Sequence, residues 1–242
     1  MNSLRRPRLL RCGDAAISVE FGDSIDPATN ARVLALDAAL AAQPPAGLIE
    51  TVPTYRSLLI YLDPLQADFE ALSQRILELS QKPAGAGRKP RRWHVPIVYG
   101  GDFGMDLEDL AARHGISAER LVARHCEATY VVAMIGFMPG FAYLGGLDPA
   151  LTMPRRLEPR PLVPAQSISI GGGQSAISTV AGPSGWHMIG RTPVRGFMPG
   201  REPLFIFAPG DEIRFERIAA GEWLALDALA EEGAPIARCE TP

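Results

Sequence analysis

Four arginines, Arg155, Arg156, Arg160 and Arg191, bracket the glycine-rich stretch Gly171-Gly172-Gly173-Gln174. Guanidinium groups hold carboxylates and phosphates through paired hydrogen bonds, and backbone N–H groups in a glycine loop can stabilise an oxyanion. The candidate substrate-binding set is therefore Arg156, Arg160, Gly171, Gly172, Gln174, His187 and Arg191. Gly171 and Gly172 would act as backbone donors, and no residue is assigned as a catalytic base. Each has an ordinary alternative. Loop arginines are often only solvated, and three glycines between strand-like runs make a tight hairpin in which glycine supplies positive φ. A phosphate loop of the Walker type needs Gly-Lys-Ser/Thr opening a helix, and the sequence has neither feature here.

The remaining candidates are weaker. His94, His114, His125 and His187 show no H-x-x-x-H or H-E-x-x-H spacing, so no metal is expected. His125, beside Cys126 on an expected helix, reads as a packing or capping histidine. His187, on a strand before Met188-Ile189, is the best placed of the four to line a site. Ser184 in Gly182-Pro183-Ser184-Gly185 lacks the G-x-S-x-G elbow and the helix that must follow it, and reads as a turn serine.

The elements that would position these residues follow from pattern and punctuation. The chain has 242 residues, 47% hydrophobic and 21% charged, with a net charge of −3. That composition is globular, and the near-neutral balance argues against nucleic acid as a partner. No uncharged apolar run is long enough for a membrane span or a signal peptide, and three widely spaced cysteines fit neither a disulfide framework nor a zinc knuckle. A reduced, cytoplasmic protein is expected.

Alternation at Ala15, Ile17, Val19 and Phe21, a helix opened by Asp26-Pro27, strands at Leu48–Val52 and Ser57–Leu62, and a helix opened by Asp63-Pro64 give β-α-β-β-α. A last strand near Trp93–Val98 would close this as a small ferredoxin-like sandwich. Gln81–Pro90 is the expected linker, giving an α/β N-terminal domain over residues 1–85 and a second domain over 91–242. Two short helices follow, N-capped by Asp106 and Ser117. Six strand signals come next, at Tyr130–Ile135, Ser167–Ile170, Ala176–Val180, Trp186–Ile189, Leu204–Phe207 and Glu212–Phe215, and then a helix over Glu222–Glu232. Short strands at this spacing predict a barrel or sandwich. The pentapeptide GFMPG, at Gly136–Gly140 and again at Gly196–Gly200, reads as two similar turns.

The runs YVVAMIGFMPGFAYLGGL at Tyr130–Leu147, PRRLEPRPLVPA at Pro154–Ala165 and WHMIGRTPV at Trp186–Val194 resemble a family known under three names: the B subunit of 5-oxoprolinase, allophanate hydrolase subunit 1 and Kip-type sporulation-kinase inhibitor. GDAAISVEFGD, PTYRSLLIYLDP, VPIVYGGDFGMDLEDLAARHG and APGDEIRF extend the resemblance over nearly the whole chain. It implies an α+β fold, with the small N-terminal domain followed by a cyclophilin-like β-barrel, a unit similar to part of the carboxyltransferase of urea carboxylase. It also implies a hydrolase subunit, inactive alone, that works with a C-subunit-like barrel protein and an A-subunit-like lactam-processing protein. Together these would open 5-oxoproline to glutamate with ATP. A regulator of a sensor histidine kinase, a peptidyl-prolyl isomerase and a paralogue in urea or allophanate metabolism stand as alternatives. Where the family usually reads P-A-G-S-V, this chain carries Gln166 in place of the glycine. Further departures at Gln174–Thr179 and Pro183–Trp186 keep all the changes within the barrel stretch expected to face a ligand.

Overall fold

The computed structural model describes residues 6–81 and 89–240, so residues 82–88 of the expected linker lie outside the described residues. The chain divides between Lys89 and Pro90 into two compact units.

The first unit is a four-stranded antiparallel sheet with two helices. Its strands are β1 (Arg8–Arg11), β2 (Ala16–Glu20), β3 (Leu48–Pro53) and β4 (Ser57–Leu62), in the order β1-β2-β4-β3. Helix α1 (Pro27–Ala42) starts where the Asp26 carboxylate accepts from the Thr29 amide, and Pro27 fills the first turn, where no N–H partner exists anyway. Val33, Leu36 and Leu40 of α1 and Leu72, Ile76 and Leu79 of α2 (Phe69–Ser80) share a core with Ile17, Val19, Leu58, Ile60 and Leu62.

Two expectations are corrected in this unit. Asp63 does not cap a helix: its carboxylate accepts from the Leu65 amide and the Gln66 side chain, closing a turn that leaves Leu65 94% exposed. Asp68 is the cap, accepting from Glu70 and Ala71. The fourth strand is β1, which pairs Arg8–Arg11 with Ile17–Glu20. The expected closing strand near Trp93 belongs to the second unit, because Trp93, Val95 and Ile97 all point into the barrel core. Charged Arg8 and Arg11 suit an open sheet edge, which is why the strand signal is faint in an apolar pattern.

The second unit is a closed barrel. Its strands in chain order are β5 (Arg92–Tyr99), β6 (Tyr130–Ile135), β7 (Ala142–Gly145), then β8 (Arg160–Val163), β9 (Ser167–Gly171), β10 (Gln174–Ile177), β11 (Gly182–Ser184), β12 (His187–Arg191), β13 (Glu212–Arg217) and β14 (Arg238–Glu240). The barrel runs β5-β12-β9-β10-β7-β6-β13 and returns to β5. The β12–β5 pairing closes it, β13 and β5 are its parallel pair, and β14 adds to β5 outside. β8 and β11 form a separate two-stranded ribbon. Helices α3 (Leu107–Arg113) and α4 (Ala118–Glu127) pack on β12 and β13, and α5 (Trp223–Glu231) lies near the chain's end. Leu204–Phe207 is not a strand. Only a single bridge, Phe197 to Phe205, forms there.

The two GFMPG segments do fold alike. Met138 accepts from the Phe141 amide and Met198 from the Arg201 amide, and both final glycines are left-handed, Gly140 at φ +72° and Gly200 at φ +82°. The turns also touch: a Cβ on Gly140 would lie 2.7 Å from Cβ of Phe197.

Candidate functional site

The site is built around the irregular segment Pro154–Pro159, which joins the rest of the barrel to β8. Arg156 is fixed at its backbone by donation to the Gly185 carbonyl at 2.7 Å. At its tip, Nη1 donates to Asp106 at 3.1 Å. Arg160, the first residue of β8, grips the same carboxylate with Nη1 at 2.7 Å and Nη2 at 2.6 Å. The Met188 amide of β12 donates to it as well, at 2.7 Å. Asp106 is therefore a buried hub, 3% exposed: it stands at the N-cap position of α3 as expected, but its carboxylate makes no cap bond and is spent on the arginines and Met188 instead. Burial alone would raise its carboxyl. The Arg160 hydrogen bonds, the Met188 amide and the charges of Arg160 and Arg156 outweigh burial and hold it below the usual carboxylate range.

On one side of this segment lies an aromatic cavity of about 270 Å³. Phe141 packs against Tyr143 at 4.7 Å between ring centres, Tyr143 against Trp186 at 6.0 Å, and Phe137 edge-on to Phe141 at 5.6 Å. The Arg155 guanidinium lies 5.4 Å from the Trp186 ring, a cation–π contact. Trp186 is seated on Gly171, where a Cβ would fall 2.4 Å from the indole. Met138 is seated on Gly182 in the same way, at 2.2 Å. Two glycines thus shape the cavity by making room for its walls. Ser169, Ser178 and Ser184 supply its hydroxyls.

On the other side lies an open recess of about 500 Å³, lined by Arg113, Met153, Arg155, Arg156, Glu158 and His187 among others. His187 is 3% exposed, and its Nε2 donates to the Pro154 carbonyl at 2.9 Å.

Of the sequence candidates, Arg156 and His187 line the recess, Arg156 also lines the cavity, and Arg160 joins them through Asp106. The expected convergence of Arg156, Arg160 and Arg191 on one anion does not form. Arg191 donates instead to the Ala165 carbonyl at 3.1 Å and stacks 4.7 Å over Trp223. Gly172 is no oxyanion donor, because its amide and carbonyl both pair with Met153. Gly171 and Gln174 pair across the hairpin, and their part in the site is the seat Gly171 gives Trp186. With Gly172 committed, the glycine turn does not fit the phosphates of ATP, and no step through a nucleotide is assigned to it.

The candidate set read from the sequence left out Asp106, Tyr143 and Trp186, and it did not carry forward Arg155, which stood among the four flanking arginines. Asp106 had the signal of an acidic residue opening a helix, which a cap and a buried salt bridge share. His125 is the packing histidine expected. It is fully buried, shares hydrogen bonds with the Tyr99 hydroxyl at 2.7 Å and the Ser175 hydroxyl at 3.2 Å, and stacks on Phe215. Burial lowers its pKa to about 3. Asp211, also fully buried, takes Arg91, the Trp93 indole N–H and the Ala208 amide, which explains the APGD turn as a structural pin.

Comparison with known proteins agrees with this architecture. The B subunit of 5-oxoprolinase from Bacillus subtilis (strain 168) is 34% identical over 231 residues, covering 91% of this chain and 96% of the relative. Its namesake in Escherichia coli O157:H7 is 35% identical over 88% of this chain and 96% of the relative. Among solved structures, TTHA0988 matches with a TM-score of 0.75 at 35% identity over 85% of this chain, which spans only 40% of that protein's length. The urea carboxylase of Kluyveromyces lactis matches with a TM-score of 0.78 at 18% identity, over 97% of this chain and 24% of that one, a likeness of fold. The model of the carboxyltransferase domain, subdomain C and D, matches residues 7–207, and the chain belongs to that family.

Proposed function

We propose that this chain is the B subunit of an ATP-dependent 5-oxoprolinase, a hydrolase that opens the lactam of 5-oxo-L-proline to L-glutamate. The observation that carries the reading is identity of 34–38% with three proteins named as the B subunit of 5-oxoprolinase, two of them matched over nearly all of this chain. The site supports it chemically. The substrate is small and carries a carboxylate, and Arg155 stands between two hollows with no ion pair to a carboxylate among the described residues. A guanidinium held over an indole is placed to bind that carboxylate.

The chain is inactive alone in this reading. Lactam opening driven by ATP needs groups for phosphate, metal and attacking water. The glycine turn is spent on Met153. Nucleotide handling therefore falls to an A-subunit-like partner, with a C-subunit-like barrel protein completing the assembly. Exposed Phe137, Leu157 and Leu162 offer apolar surface for such contacts. No described helix is long and apolar enough to cross a membrane, and the free thiols of Cys12, Cys126 and Cys239 suit the cytoplasmic setting included in the proposal.

The test is ATP-dependent consumption of 5-oxoproline by the purified chain with and without its co-expressed partner subunits. Turnover only in the assembled complex supports the reading. Turnover by the lone chain removes the non-autonomous part, and none with all partners present turns the interpretation to a regulatory binding protein.

A further inference from the structure

Two buried nitrogen atoms beside the Arg155–Arg156 segment have no hydrogen-bond partner among the described residues: Nε of Arg156 and Nδ1 of His187. Both residues line the same recess. The character of each atom is fixed by what the rest of its side chain does. A carbonyl oxygen can only accept, so the contact from His187 Nε2 to Pro154 places the ring proton on Nε2. In the neutral form of that tautomer Nδ1 is an acceptor. Arg156 spends Nη1 on Asp106, and its Nε–H can only donate. Two residues of the recess lining thus carry, beneath its surface, one unmatched acceptor and one unmatched donor, each destabilising while it stays unmatched.

We propose that the recess, and not the aromatic cavity, takes the lactam edge of 5-oxoproline. The ring N–H donates to His187 Nδ1, the ring carbonyl accepts from Arg156 Nε–H, and the Arg155 guanidinium takes the substrate carboxylate. This rests on the 5-oxoprolinase reading. A lactam is an amide locked in the cis form, so its donor and acceptor lie side by side on one edge. A carboxylate offers only acceptors and would leave Nδ1 unmatched, and an ammonium offers only donors and would leave Arg156 Nε unmatched. The outer wall is irregular chain with Leu157 wholly exposed, so a small ring reaches the two atoms by displacing side chains and not a strand. Glu158, the acidic residue of the recess lining, disfavours a second carboxylate and so favours substrate over the product glutamate.

The experiment uses the assembled complex with this chain alone carrying ¹⁵N-histidine, the His187 signals being assigned by their loss in His187→Asn. Titration with 5-oxo-L-proline should move the His187 Nδ1 resonance toward its hydrogen-bonded position. 2-Pyrrolidinone, which keeps the lactam and lacks the carboxylate, should move it the same way with weaker binding. The lactone analogue 5-oxotetrahydrofuran-2-carboxylate, which keeps the ring carbonyl and the carboxylate but has oxygen in place of the ring N–H, should not move it. His187→Asn should weaken 5-oxoproline binding about tenfold, the value of one well-placed hydrogen bond to a ligand. Arg156→Lys, which keeps the charge, should do the same and serves if the histidine variant fails to fold. Turnover of 5-oxoproline with an unmoved His187 resonance overturns the lactam docking and leaves the 5-oxoprolinase reading standing, since it means the unmatched atoms are met by water alone. An equal response to the lactone, which has no N–H to donate, overturns it too. Absence of turnover by the complex defeats the 5-oxoprolinase reading itself.

Discussion

Arg160 holds both oxygens of Asp106, through Nη1 at 2.7 Å and Nη2 at 2.6 Å, although 54 residues separate them in the chain. This fork ties β8 to the start of α3, and through the Met188 amide to β12. It also orients Arg156, whose Nη1 reaches the same carboxylate. The carboxylate is therefore the anchor of the whole Arg156 side of the site.

Asp106→Asn is expected to cost roughly 3 kcal/mol of folding stability, the low end for removing one partner of a buried ion pair. The low end applies because the guanidiniums of Arg156 and Arg160 keep 27% and 23% of their exposure and can recover some hydration. The wild-type contribution has a definite pH window. The folded Asp106 pKa lies below its unfolded value, so its contribution is full above the unfolded carboxylate range and fades as pH falls through the folded value. Urea unfolding at neutral and acid pH checks both statements. Equal stability of wild type and variant at neutral pH would refute the anchoring role.

Gly171→Ala tests the seat of Trp186. An alanine Cβ would lie 2.4 to 2.7 Å from three atoms of the indole, so the ring must move away from Tyr143 and Arg155. Overpacking of this kind costs about 1–3 kcal/mol. The expected result is a lower Tm with a changed Trp fluorescence spectrum. Gly172→Ala, at φ +63° with open space where its Cβ would go, should cost only the left-handed backbone penalty of about 1 kcal/mol and leave the spectrum alone.

His125 gives a second pH signature. Burial holds its folded pKa at about 3, against roughly 6.5 for an unfolded histidine, so the unfolded chain binds the extra proton first. Stability attributable to the neutral ring is full above the unfolded value and falls by up to about 1.4 kcal/mol per pH unit below it, until the folded value is reached. In His125→Gln, which has no titrating ring, unfolding free energy measured between pH 7 and pH 4 should fall less steeply than in the wild type. Parallel curves would mean that the buried ring titrates normally.

The barrel was legible because its strands carry strong local signals: Tyr130–Ile135 is an apolar run stopped by Gly136, and Ser167–Gly171 alternates Ser and Ile up to the glycine turn. β7, β8 and β11 carried little signal, being short and rich in Gly, Pro and Arg, and their pairing is a property of the closed sheet. The candidate site was half legible for the same reason. Arg156 and His187 stand next to residues that mark them locally. The Asp106–Arg160 pair and the seating of Trp186 on Gly171 depend on which strands become neighbours, which no window of sequence contains. Gln166 shows the converse: it occupies the position where the resembled family carries glycine, and its φ of +61° is the conformation that glycine serves.

Phe137 is the other non-glycine residue held at positive φ among the described residues, at +72°, and it is also 68% exposed and lines the aromatic cavity. A bulky residue in this conformation costs about 1–2 kcal/mol relative to an unstrained backbone, and a mostly exposed ring recovers little of that by burial. Folding alone therefore gives no reason for phenylalanine at this position of the turn, whereas a contact made by the exposed ring does. Phe137→Gly relieves the strain but gives the unfolded chain more freedom, so folding stability should stay level or rise by up to about 1 kcal/mol. Association with partner subunits, read by co-purification and by ATP-dependent 5-oxoproline turnover of the complex, should fall. Phe137→Ala keeps the strained backbone and removes the ring, so it should lose the same association without any gain in stability. A glycine variant clearly less stable than wild type would show that the ring serves the fold. Unimpaired association in both variants would remove this turn from the partner surface.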